Sequence, residues 1–234
     1  MLSYFQGKSF FKFLSSLFLP AETDWKISNN YYLDTSKLVD FAPRIKPLEF
    51  QHQANVLEYL WVCSDYHDPK INELLRRAKI SGEWKIAATL AKIIEFQFRN
   101  EIQPQLSEKV KFPPLPKPDL ITYVPADKKR YLMRGYHLPF KISHYLGQDL
   151  SVKLINLTKK SKHTISQTSL IKTDRLQNLN DVFEIVNPRV ELTNQIIWLV
   201  DDLTTTGTTI YEVAKVIKAA FPDVKIIGVA VAGN

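Results

Sequence analysis

The segment from Ile196 to Thr209, IIWLVDDLTTTGTT, constrains this chain more than any other part of it. Its first five residues show no polar alternation, as a strand buried on both faces of a parallel sheet requires. Two acids, Asp201 and Asp202, interrupt the apolar run, and five threonines around Gly207 follow before a helical pattern opens at Ile210. Adjacent carboxylates at the carboxyl end of a buried strand repel each other unless something polar or cationic lies over them. The backbone N–H groups of a turn that leads into a helix form a site for a phosphate dianion. Threonine hydroxyls add donors, and Gly207 permits close approach and a positive φ. A helix cap needs only one Asp or Thr, so this concentration points to ligand binding. This segment contains no Gly-Lys-Ser or Gly-Lys-Thr, so it is not a Walker loop.

Strand and helix patterns alternate over the second half of the chain. Strands are predicted over Leu120–Val124, Val152–Leu157, Gln195–Val200 and Val224–Val231, and helices over His137–Leu146 and Thr208–Ala220. Such alternation predicts an α/β fold, a mostly parallel twisted sheet with helices on both faces. Ahead of it, apolar residues at three- and four-residue spacing predict helices over Ile71–Lys79 and Trp84–Glu101, broken near Ser81 and Gly82. Prolines at 104, 113, 114, 116 and 118 predict a loop into the core. Residues 1–60 are expected to form a small N-terminal region with loops, short strands and an amphipathic helix from Phe10 to Phe18, and residues 61–234 the main domain.

Cys63 is the sole cysteine, so neither an intrachain disulfide framework nor a cysteine-rich zinc site can form, and a cytoplasmic location is expected. No apolar run approaches the roughly 18 residues of a transmembrane segment. A net charge of +7 favours polyanionic partners, phosphorylated small molecules and nucleic acid alike.

The string VDDLTTTGTT resembles the signature of type I phosphoribosyltransferases that binds phosphoribosyl pyrophosphate (PRPP). The resemblance implies that Asp201 and Asp202 hold the ribose hydroxyls, directly or through Mg²⁺, and that Thr204, Thr205, Thr206, Gly207, Thr208 and Thr209 cradle the 5′-phosphate. A basic stretch, Pro125 to His137, follows the first predicted core strand and places Lys128, Lys129, Arg130 and Arg134 in a loop at the sheet's carboxyl edge, where open α/β sheets bind ligands. Further on stand Thr164, Gln167, Leu170, Arg175, Asn178 and Phe183. Together these stretches, and the helical segment with Lys79 and Gly82, resemble the ComF family of competence-associated, phosphoribosyltransferase-like proteins. By that resemblance Ala126, Asp127, Lys128, Lys129, Arg130 and Arg134 bind pyrophosphate, Asp201, Asp202 and Arg130 carry the catalysis, and Lys159–Phe183, with Thr164, Gln167, Arg175 and Asn178, is a flexible flap over the ligand. Two departures stand out. The paired cysteines of the family's N-terminal zinc module are missing, so no zinc is expected, and His137 replaces the usual Asn after Arg-Gly-aromatic.

Two functions fit. One is a phosphoribosyltransferase with an unknown acceptor, using Mg²⁺ and basic side chains to neutralise departing pyrophosphate. The other is a non-catalytic module, responsive to PRPP or a nucleotide, that serves DNA uptake or processing by binding single-stranded DNA or DNA-uptake proteins. Tyr131 and Tyr136 beside the cations suit stacked bases. A homo-oligomer is compatible with either.

Overall fold

The structure is a computed structural model that describes residues 56–101, 114–161 and 182–234, together with the backbone at 44–46, 105–107 and 110–111; the side chains of 128–130 are not described. In chain order the elements are β1 (Arg44–Lys46), β2 (Tyr59–Asp65), α1 (Pro69–Ile80), α2 (Ile86–Arg99), β3 (Gln105–Ser107), β4 (Val110–Lys111), β5 (Leu120–Tyr123), α3 (Lys128–Arg134), α4 (Leu138–Leu150), β6 (Lys153–Leu154), β7 (Thr158–Lys160), β8 (Phe183–Ile185), β9 (Ile196–Thr204), α5 (Thr208–Ala220) and β10 (Lys225–Gly233). The expected amphipathic helix at Phe10–Phe18 lies outside the described residues.

Six strands form the main sheet in the order β1-β2-β10-β9-β5-β6, in which only β1 runs antiparallel to its neighbour. Side chains alternate across each strand, so the apolar runs feed two cores. One contains Trp61, Ile121, Trp198 and Val200 under α1, α2 and α4. The other contains Leu60, Leu120, Ile197 and Leu199 under Ile210, Val213, Ala214 and Ile217 of α5. The α/β fold, mostly parallel with helices on both faces, is therefore the one the alternation predicts.

Several local expectations change. β2 is a central strand of seven residues that the sequence reading left unassigned. Its YLWVC run is buried on both faces and lacks the alternation that marks a half-exposed strand. The expected strand at Val152–Leu157 shrinks to Lys153–Leu154, because β6 sits at the sheet's edge and pairs with β5 alone. β9 runs on through both acids to Thr204 instead of ending at Val200, since β10 stays in register with it as far as Gly233. The basic stretch read as a loop is helical from Lys128 to Arg134. Lys, Arg, Leu and Met, which fill most of it, are strong helix formers. The proline-rich loop holds a short antiparallel pair, β3–β4.

Gly228 sets how closely α5 can approach the sheet. A Cβ there would lie 2.8 Å from Leu60 Cδ1 and 2.9 Å from Ile210 Cγ2. Ile210 is in the first turn of α5, so the glycine also fixes the loop that precedes that helix. Both neighbours are fully buried and have little room to yield. Gly228→Val is expected to destabilise the fold by about 2–3 kcal/mol through overpacking. Urea unfolding of the variant beside the parent measures the loss.

Candidate functional site

β9 is hydrogen-bonded to β5 on one side and β10 on the other, and its core segment Ile197–Val200 is fully buried. This pairing carries Asp201 and Asp202 out of the core at the carboxyl edge of the sheet. Being successive strand residues, they face opposite sides. Asp202 shares the face of Trp198 and Val200, toward α1 and α4, and Asp201 shares the face of Leu199, toward α5. The Asp202 backbone N–H donates to Asp201 Oδ1 at 2.8 Å. Burial, and then the neighbouring Asp202 charge, push the Asp201 carboxyl well above the usual carboxylate range, against smaller lowering effects from that hydrogen bond and from Lys79.

The loop that follows turns sharply. Thr204 is buried, Thr205 exposed, and Thr206 and Thr208 are joined through their hydroxyls at 2.7 Å. Gly207 has φ 80° and occupies the position before the first helical residue of α5. This left-handed backbone is one that side-chain-bearing residues avoid. The first α5 hydrogen bond runs from Tyr211 N–H to Gly207 carbonyl. The Thr208 N–H donates to Thr206 Oγ1 at 3.4 Å, and the N–H groups of Thr209 and Ile210, which precede the helical ladder, can with the positive end of the helix dipole receive an anion. The residues expected to cradle a phosphate thus run from the last residue of β9 through the connecting turn into the first turn of α5.

On the α1 side, Lys79 Nζ lies 3.0 Å from Asp202 Oδ1, with both side chains largely buried. Gly135, at φ 74°, closes α3 with an N–H bond to Tyr131 carbonyl and turns Tyr136 into the core. The Tyr136 hydroxyl is buried with no hydrogen-bond partner among the described residues, and burial raises its pKa. His137 begins α4. Burial pushes its imidazole down to about 4, aided by Arg134 and opposed by Asp202, so it is neutral at physiological pH. The expectation that Tyr136 stacks on bases fails, because its ring is buried in the core; Lys79 and His137 carry no assigned chemistry in the sequence. A cation bordering the buried α1 stripe of Ile71, Leu75 and Ala78 is the pattern that could have singled out Lys79.

Ala126 and Asp127 form the connection between β5 and α3 at the same edge of the sheet, and Arg134 is exposed at the end of α3. Asp127 Oδ2 is paired with Lys160 Nζ at 3.2 Å, tying this connection to β7. The helix places the backbone of Lys128, Lys129 and Arg130 there too. Of the expected flap, Thr164, Gln167, Arg175 and Asn178 lie outside the described residues. Its two ends are strands, since β7 pairs antiparallel with β8 and brings Lys160 opposite Phe183.

Magnesium takes hard oxygen ligands and is commonly held by one or two carboxylates, with substrate phosphates and water completing its shell. Asp201 and Asp202 supply such carboxylates. Among the described residues no group of three or more His, Cys, Asp or Glu side chains could form a closed cage. The donor set therefore fits Mg²⁺ bound together with an oxygen-rich ligand.

No helix among the described residues is long and apolar enough to cross a membrane. No known family profile matches the chain. Among solved structures, an adenine phosphoribosyltransferase from Thermoanaerobacter pseudethanolicus aligns with TM-score 0.39 and 15% identity over 70% of this chain and 86% of that one. The UMP synthase of Leishmania donovani aligns with TM-score 0.35 and 14% identity over 68% of this chain, which spans only 29% of that protein. The DNA utilization protein YhgH of Salmonella typhi is 28% identical over 74% of this chain and 68% of its own length. Competence protein F of Haemophilus influenzae is 30% identical over 188 residues, 77% of this chain and 78% of its own. With that identity sustained over more than two thirds of both sequences, the chain belongs to the ComF family of competence-associated proteins.

Proposed function

We propose that this protein binds PRPP with Mg²⁺ at the carboxyl ends of β9 and β5 and transfers its phosphoribosyl group to an acceptor. The observation that carries this reading is the turn between β9 and α5. There two acids, suited to ribose hydroxyls, are followed within one loop by a left-handed Gly207 and an open helix N-terminus, suited to a phosphate. Their order along the chain matches the order of groups in a ribose 5-phosphate. The connection from β5 to α3 brings Lys128, Lys129, Arg130 and Arg134 to the same edge, where they would neutralise a pyrophosphate attached at C1.

In the reaction, the bond from C1 to the pyrophosphate oxygen breaks, and the electron pair leaves with pyrophosphate. A nucleophilic nitrogen or oxygen of the acceptor bonds to C1 and gives up a proton. Bound Mg²⁺, held by the acid pair chiefly through Asp201 together with the ligand's own oxygens, would supply positive charge near the leaving group. The protein's own residues place the sugar and phosphate and stabilise charge. The names of the relatives, competence protein F and DNA utilization protein, favour a second reading. In it PRPP or a nucleotide regulates a DNA-handling module, and the basic α3 region meets single-stranded DNA. Pyrophosphate release on adding candidate acceptors supports the transferase; PRPP binding without release to any of them supports the module.

Calorimetry with PRPP and Mg²⁺ is expected to show binding that Asp202→Asn and Gly207→Val each weaken by at least about tenfold, which is ~1.4 kcal/mol. The first removes charge from the ribose side, and the second forces a β-branched residue into left-handed backbone. Unchanged affinity in both variants would exclude this site.

The raised Asp201 pKa has a definite sign. Folding favours its protonated form, so its stabilising contribution is complete below the ordinary carboxylate pKa and is lost as pH rises toward the raised value. Asp201→Asn is therefore expected to be about 1 kcal/mol more stable than the parent at pH 8, with the gain shrinking toward pH 4, while PRPP binding falls. Thermal melts across that range, with calorimetry at pH 8, check both effects.

A further inference from the structure

We propose that Lys79 is a further residue of the donor site: α1 places it against Asp202 as a fixed counter-cation, and it orients this carboxylate toward the ribose hydroxyls. The inference rests on the PRPP reading above and concerns a helix outside the strand, loop and helix that make up the phosphate cradle. Toward its C-terminal end α1 carries three basic side chains. Arg76 pairs with Glu73, and Arg77 with Glu83, both on the surface of the helical hairpin itself. Lys79 instead crosses to β9 and meets Asp202 at 3.0 Å, with 20% of its side chain exposed and 12% of the acid's.

Sequence and packing explain that choice. Ile71, Leu75 and Ala78 bury one face of α1 against the sheet, and Lys79 follows at the border of that face. Its aliphatic stem can run along apolar surface while its ammonium reaches the carboxyl edge. The Asp68 side chain caps the start of α1, and Gly82 at φ 73° turns the chain into α2, so the helix is fixed at both ends. Lys79 is the ion-pair partner that Asp202 has among the described residues.

A carboxylate this deeply buried is costly without an opposite charge. Lys79 supplies that charge whether or not a ligand is bound. It therefore meets at Asp202 the demand that a divalent cation would otherwise meet, and it leaves Asp201 and the ligand's own oxygens to hold the metal. The two neighbouring acids thus have different tasks: Asp202 orients, and Asp201 shares the cation. Lys79 is a positioning residue in this arrangement, acting through Asp202.

The test uses the full chain with Lys79→Met, Lys79→Arg and the double variant Lys79→Met/Asp202→Asn. One readout is PRPP affinity by calorimetry at saturating Mg²⁺. The other is the melting temperature with and without MgCl₂ in the absence of PRPP. Lys79→Met is expected to weaken PRPP binding by about tenfold or more, and Lys79→Arg to recover most of the loss. Mg²⁺ alone is expected to raise the melting temperature of Lys79→Met more than that of the parent, because the metal can enter the vacated cation position. That extra rise should vanish in the double variant. If Lys79→Met folds poorly, the double variant should fold better, since it leaves no unpaired charge; equal instability in the two overturns the pairing. Parental PRPP affinity in Lys79→Met, or a Mg²⁺ response no larger than the parent's, overturns the proposed role. Failure of the parent itself to bind PRPP refutes the PRPP reading instead, and the Mg²⁺ response still decides whether Lys79 is the counter-cation of Asp202.

Discussion

The pairing of β9 on both edges, to β5 and β10, governs where every candidate residue stands. A strand that is hydrogen-bonded on two sides and covered on two faces cannot slip by one residue without sending its apolar set to the wrong core. Trp198 and Val200 are committed to the α1, α2 and α4 face, and Ile197 and Leu199 to the α5 face. The faces of Asp201 and Asp202 follow from that register. The site's most important geometric property is thus decided by residues that never touch a ligand.

From this register comes the electrical asymmetry of the acid pair. Asp202 emerges beside α1 and pairs with Lys79, whereas Asp201 emerges toward α5, where burial and its neighbour's charge outweigh the smaller effects of the Asp202 N–H and of Lys79. The neutral His137 adds no positive charge to either. Around this centre the supports are redundant. Trp61 Nε1–H donates to Gln97 Oε1, whose amide in turn donates to the Cys63 carbonyl, which fixes α2 to β2 beneath α1. Gly228 brings α5 close enough for its first turn to complete the phosphate loop.

Local signals were strongest where a residue's role depends on its immediate neighbours. Thr208–Ala220 is a helix with the bounds expected, because Gly207 before it and Phe221 and Pro222 after it restrict the backbone locally. α1 and α2 were legible from their apolar spacing. β2 was not, since a strand buried on both faces has no period to read, and only its pairing with β10 distinguishes it from a stretch of buried helix. The basic stretch follows a strand at the sheet's carboxyl edge, a position that suggests a loop, although the residues of α3 individually favour helix.

The sequence by itself determined the chemistry on offer: two acids, a threonine-rich turn with one glycine, a cluster of cations, and the α/β alternation that sends them to one edge of a sheet. These are properties of composition and short-range order, and covalent neighbours fix them. Only the tertiary structure decided which acid meets a cation, that Lys79 rather than Arg76 or Arg77 is that cation, and that Asp127 is held by Lys160. Those choices depend on strand register, helix rotation and burial, which arise when distant segments pack and which no local spacing encodes.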